Sequence, residues 1–361
     1  MVEDLQSPYS NLEDRAFWRL GITEADSFPP PQIYRPKFVI SKSIKIMTAG
    51  SCFAQHVGNA LRKNGFSIID TEPMPDICPK EIQTKYGYGL YSARYGNVYS
   101  LRQFLQLTKE AHGLFSPSEP VWERNGRYYD AQRPGVEPEG YETPEDVIIA
   151  RRAHLEAVRS AFAQADLIVF TLGLTEAWEH IESGTVYPTA PGTIANEIDY
   201  DVFRFKNFRS GEIYEDFLEL RTILKEKSPD LKFLLTVSPV PLTATATDNH
   251  VLPATVYSKS VLRTVCGELC EDFPDVDYFP SYEIVASHAG KGEFFRPNLR
   301  SVTPVGVDAV MKCFIGAHIE NSESHNCPEV VSCPSDKTQE QEDNDQDELI
   351  CEELLLEAFK K

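Results

Sequence analysis

Gly50-Ser51-Cys52 places two nucleophile types side by side, after SIKIMTA at 43–49 and before an amphipathic run. A nucleophile on a sharp turn between strand and helix is exposed. It also sits at the helix N-terminus, where free N–H groups and the dipole stabilise an anion. For a thiol, such a place lowers the pKa from about 8.5, in strong cases into the range of about 3.5–7.5. The same N–H groups can receive the oxyanion of an acyl-transfer intermediate, and losing one such donor costs on the order of 10²–10³ in rate. In the plainer alternative, Gly50 makes the turn, Ser51 caps the helix and Cys52 fills a small buried space.

Three further segments fall where ligands bind in an open parallel sheet, at the carboxyl ends of strands or just before the last helix. They are Gly173-Leu174-Thr175-Glu176, Ser238-Pro239-Val240 and Asn298 to Ser301. Gly173 can offer its N–H to an oxyanion with the Thr175 hydroxyl beside it, or it can be a plain strand-to-helix turn. Trp178 serves as packing or as a cleft wall. Three histidines are candidate bases. His56 lies one helical turn past Cys52, His288 stands in the loop SHAGKG, and His250 follows the polar stretch TATATDN, which reads as a mobile lid. No metal site is expected. No CxxC occurs, and Cys266 and Cys270, one helical turn apart, have no second pair to complete a ligand set.

These groups need a frame. The run 43–49 reads as a buried strand, 53–64 as a helix with Phe53, Val57, Ala60 and Leu61 on one face, and 66–70 as a second strand. Strand, turn, helix and strand in that order form a βαβ unit and imply a parallel sheet. The apolar runs 166–173 and 231–241 add central strands and 275–279 a short one. Helices are expected over 101–111, 145–165, 212–226, 256–270 and 303–317. Residues 1–40 read as an irregular arm, broken by Pro29, Pro30 and Pro31 and pinned by Phe17, Trp18 and Leu20. Residues 78–140 read as a large insertion within a domain of 41–319, with a hairpin at WERNGRYY turning on Asn125-Gly126.

The net charge of −20 opposes a surface groove for nucleic acid, which needs a basic face. Much of it sits at the end: residues 321–361 hold 12 Asp/Glu against 3 Lys. Residues 320–361 therefore read as an acidic, mostly disordered tail. Its last stretch, 349–359, reads as a short amphipathic helix that frays or docks a protein partner. Neither a signal peptide nor a membrane span is visible. The scattered thiols fit a reducing, cytoplasmic setting.

The residues also carry a resemblance. Positions 50–54 spell GSCFA, and the blocks LYSARYGNVYSLRQFL (90–105), TLGLTEAW (171–178), TVSPVP (236–241), YSKSVLR (257–263) and YFPSYEI (278–284) follow in order. Over roughly 10–316 the chain resembles the GSCFA family, which is similar to the SGNH/GDSL hydrolases. That likeness implies a three-layer α/β/α sandwich around a parallel sheet, with no cofactor. It implies an esterase or O-acyltransferase acting on an acylated carbohydrate-like substrate through an acyl-enzyme. The third residue of the superfamily's Gly-Asp-Ser turn falls on Cys52, which ranks ahead of Ser51. The Gly-x-Asn block falls on Gly173-Leu174-Thr175, and the block II glycine on Gly89, with Asn97 nearby. The superfamily's Asp-x-x-His has Asn298 and Ser301 instead. That departure leaves a thiolate at the helix N-terminus that needs a base less than a serine does, or His288 or His56 as the base, or makes the chain a binding module that keeps the cleft for a sugar or acyl ligand without catalysis.

Overall fold

The computed structural model describes residues 7–318 together with Leu355, Leu356 and Phe359. Lys45–Gly50 forms strand β1, Phe53–Lys63 helix α1 and Ser67–Ile68 a short strand β2. Leu101–Ala111 (α2), Val121–Arg124 (β3), Arg127–Asp130 (β4) and Pro144–Gln164 (α3) follow. Next come Leu167–Leu172 (β5), Glu176–His180 (β6), Val186–Tyr187 (β7), Phe203–Asn207 (β8) and Ser210–Lys225 (α4). Lys232–Val237 (β9), Val251–Asp272 (α5), Val276–Tyr278 (β10), Ser281–Ala286 (α6) and Pro304–His318 (α7) complete the chain order.

Five strands form one parallel sheet in the order β10-β9-β5-β1-β2. Alternating side chains feed two cores. Met47, Ala49, Ile168, Phe170, Phe233 and Leu235 face one core with residues of α2, α3, α4 and α5. Ile46, Leu167, Val169 and Leu234 face the other, against α1, α6 and α7. The fold is the three-layer α/β/α sandwich that the family resemblance implies, built on the parallel sheet expected from the apolar runs. Numbered among themselves, the five strands read 2-1-3-4-5, a doubly wound order. In such a sheet the helical connections switch sides between the first and third strands, here β1 and β5, and open a crevice at their carboxyl ends.

Several expectations are corrected in detail. The second strand is two residues long where 66–70 was expected. The loop 91–99 takes over the upper edge of β1, with Thr48 N donating to Ser92 Oγ at 2.9 Å and Val98 N to Gly50 O at 2.9 Å. Gly173 does not lead into a helix. The chain turns into a separate antiparallel sheet, β7-β6-β8, before α4. Helix α5 begins five residues before the expected 256, because His250 Nδ1 caps Leu252 N at 3.1 Å and Pro253 stands in the first turn, where a helix tolerates it. The hairpin β3–β4 turns on Asn125 and Gly126, both at positive φ, as a type I′ turn requires.

Tyr34 and Ile40 pin the arm, with Tyr34 Oη donating to Asp277 Oδ2 at 2.9 Å. Phe17 and Leu20 are only half-buried, and Trp18 is exposed. The expected tail disorder at 320–348 lies outside the described residues. The expected helix at 349–359 does too, apart from Leu355, Leu356 and Phe359. Among the described residues no helix is long and apolar enough to cross a membrane, and no group of three His, Cys, Asp or Glu is placed to hold a metal ion.

Candidate active site

The crevice between β1 and β5 is closed so tightly that only glycines fit. Gly50 has φ +142°, and a Cβ there would lie 2.5 Å from Thr171 O. Ser51 N donates to that same carbonyl oxygen at 3.1 Å. Across from it, a Cβ on Gly173 would lie 2.9 Å from Ser51 Cβ. Cys52 then starts α1 with helical backbone angles. The two strand ends therefore deliver Ser51 and Cys52 side by side at the start of a helix.

Both side chains line a cavity of about 10 Å³, shared with Tyr99, Gly173, Ser238 and Lys259. The Ser51 hydroxyl is buried and has no hydrogen-bond partner among the described residues. Lys259 is 2% exposed, and its Nζ donates to Gly173 O at 2.5 Å. The neighbouring Ser258 Oγ accepts from Thr175 N at 3.0 Å, so α5 grips the whole 173–175 turn. Ser238 N donates to Leu172 O at 2.8 Å, which fixes the end of β9 beside that of β5.

A polar network stands behind the turn. The Tyr91 hydroxyl lies 3.1 Å from Ser51 O and 2.5 Å from Asn97 Oδ1, and shares its proton between them. Gln55 Nε2 donates to Asn97 Oδ1 at 3.1 Å. Gln103 clamps the same loop, donating to Asn97 O at 3.0 Å and accepting from Tyr99 N at 2.9 Å. Asn97 thus positions the Ser51 backbone and does not face the cavity that holds Ser51 and Cys52.

Ser51, Cys52, Gly173 and Ser238 are brought together as the sequence foresees. The other expected residues are not. The Gly173 N–H donates to Tyr99 O at 2.9 Å, so its contribution is the missing side chain rather than an oxyanion donor. The Thr175 hydroxyl is spent on Asn207 Oδ1 at 2.7 Å. His288 is exposed and stacks on Trp18 at 5.2 Å, and His56 meets the edge of Phe53 at 5.8 Å. Neither histidine lines the cavity, and His250 is a helix cap. Gly89 makes a left-handed bend against Gln83, outside the cavity wall. Asn298 forms an exposed, self-satisfied turn, its Oδ1 accepting from Ser301 N at 2.9 Å and its Nδ2 donating to Ser301 Oγ at 3.0 Å.

Trp178 lies in a larger cavity of about 230 Å³, whose walls share Leu174 and Leu242 with the smaller one. The residues that sequence reasoning missed are Tyr99 and Lys259. Lys259 had a signal: it falls three and seven residues before Leu262 and Cys266, on the apolar stripe of α5. A lysine in phase with such a stripe is buried.

Residues 45–314 match the model of the GSCFA family, which spans most of the chain. No curated protein matches.

Proposed function

The chain belongs to the GSCFA family, and on that premise we propose that it is an acyl-transferring enzyme, an esterase or O-acyltransferase, with Cys52 as nucleophile. The observation that carries this is one cavity holding Cys52, Ser51 and the buried Lys259 at the crevice where a doubly wound sheet binds its ligands. Cys52 ranks ahead of Ser51 because the serine hydroxyl has no acceptor among the described residues to take its proton. A thiol at a helix N-terminus beside an ammonium needs no such acceptor.

The roles follow from chemistry. The Cys52 thiolate adds to the ester carbonyl carbon. The oxyanion is held by the Cys52 N–H at the start of α1 and by the unspent Ser51 hydroxyl. As the intermediate collapses, the alkoxide leaves with a proton from the Lys259 ammonium. The Lys259 amine then takes the proton of a water or acceptor hydroxyl, which attacks the thioester and restores the thiolate. An acylated carbohydrate-like substrate remains the expected class, by likeness to the SGNH hydrolases.

Intact-mass measurement after exposure to a small activated ester tests this. Wild type should gain one acyl group, mapped to Cys52 and lost on denaturation beforehand. Cys52→Ala should gain none. Ser51→Ala should react on the order of 10²–10³ more slowly. If both variants label like wild type, or none labels across pH 6–9, the proposal fails.

A second reading, a binding module without catalysis, draws on the smallness of the inner cavity. About 10 Å³ admits at most one water. Under that reading a ligand raises the melting temperature with no change in mass.

A further inference from the structure

The cavity of about 230 Å³ beside the nucleophile takes no part in the chemistry above, and its walls say what it holds. Trp178 on β6, Phe205 on β8 and Tyr187 on β7 form one side. The loop after β9, with Leu242, Ala244 and Ala246, forms the other. Glu176, the one carboxylate in the wall among the described residues, is engaged: Oε1 accepts from the Thr245 hydroxyl at 2.7 Å and Oε2 from Ala246 N at 3.2 Å. The Thr189 hydroxyl is buried with no partner among the described residues, and so is available to a single oxygen. A sugar ring, with several hydroxyls to satisfy, would meet a mostly apolar wall whose other open polar groups are the Thr193 hydroxyl and the Trp178 indole N–H.

A second observation names the fitting group. Leu356, one of three described residues at the end of the chain, itself lines this cavity. The protein thus places an aliphatic side chain of its own at the wall. The volume exceeds the roughly 150 Å³ of a cavity that takes benzene. Leu174 and Leu242 line both this cavity and the Cys52 cavity, which therefore adjoin.

We propose that this cavity is the site for the aliphatic chain of the substrate's acyl group, of about six carbons, with Leu356 as its stand-in in the free protein. The word acyl rests on the proposed function; the site itself does not. Burial of each methylene contributes about 0.8 kcal/mol, a factor of about four in affinity.

The experiment titrates the full-length protein with 1-butanol, 1-hexanol and 1-octanol by ligand-detected NMR. These alcohols have no scissile bond, and their hydroxyl can meet Thr189. Affinity should rise about fourfold per methylene up to hexanol and then level off. Ala244→Trp, at an exposed wall position, should weaken hexanol at least tenfold, and Ala190→Trp should do the same by a separate route. Leu356→Asp, which withdraws the stand-in, should tighten it threefold or more. The proposal is overturned by affinity that ignores chain length, by wall variants that bind hexanol like wild type, or by a Leu356→Asp protein that shows no gain. Esters that label Cys52 without chain preference would remove the acyl site and leave the proposed function standing. Alcohols that bind as described, with no ester labelling any residue, would do the reverse.

Discussion

Two of the places where the molecule buries charge handle it in opposite ways. Around α3 the charges close on one another. Arg133 Nε meets Asp130 Oδ2 at 2.8 Å and Arg151 bridges Asp130 and Glu110, while the imidazole of His154, uncharged at neutral pH, places Nδ1 2.7 Å from Glu72 Oε2. These contacts tie β4, the turn after it and the loop carrying Glu72 to α3 and α2. At the sheet's crevice, Lys259 lines a void with a thiol and with a hydroxyl that has no partner among the described residues. A buried charge that faces its counter-charges holds structure, whereas under the proposed function one beside a nucleophile and a space carries protons. The two clusters should therefore fail differently when altered.

The largest difference is expected at Lys259. Lys259→Met removes the proton carrier and keeps most of the volume. Labelling of Cys52 by an activated ester should fall about 10²–10⁴-fold, while urea unfolding should show about 1 kcal/mol lost with the bond to Gly173 O. A wild-type labelling rate would erase the distinction. Asp130→Ala should do the converse, leaving two arginines without their shared partner. It should cost about 3–5 kcal/mol of stability and leave labelling per folded molecule unchanged.

Acid sharpens the same contrast. Burial, aided by Arg133, pushes His154 down to about 4 from 6.5. Burial pushes Glu72 up, but the contacts with His154 and Arg133 prevail and hold it at about 2. Below pH 6.5 the unfolded chain takes protons that the folded histidine refuses, so stability falls with pH. About 3 kcal/mol should disappear between pH 6.5 and 4. Glu72 extends the loss from about 4.5 to about 2 by the same logic, since only the unfolded carboxylate protonates there. Urea midpoints taken from pH 7.5 to 4.5 check the upper part, and a flat profile would contradict it. The smallest effect belongs to Asn298→Ala, which should cost no more than about 1 kcal/mol and leave labelling unchanged. A large loss of labelling would bring the 298–301 turn back into the site.

The frame of this molecule was legible where the local signal is strong. Strand, Gly50 turn and α1 appear in SIKIMTAGSCFA, and the apolar runs 166–173 and 231–241 give β5 and β9. Asn125-Gly126 announced its hairpin. The sheet β7-β6-β8 was not visible, because EAWEH carries a glutamate on each face, FRFKN alternates cations with aromatics, and the two pair across a long connection. At the site, Ser51, Cys52, Gly173 and Ser238 were readable from their places at strand ends. The histidines misled because their type signals chemistry whether or not the fold brings them near. Lys259 was passed over for the opposite reason: lysine usually reads as solvated surface.

Gly50 abuts Thr171, and Gly173 abuts Ser51 and Tyr99, at distances that admit no side chain on either glycine. Any collection of functional variants of this protein, selected for whatever activity, should keep both as glycine simply to fold. Their invariance would therefore report steric necessity and say nothing about catalysis. Positions 51, 52 and 259 carry side chains that the backbone does not dictate, so what selection permits there would reveal the chemistry that the organism actually uses.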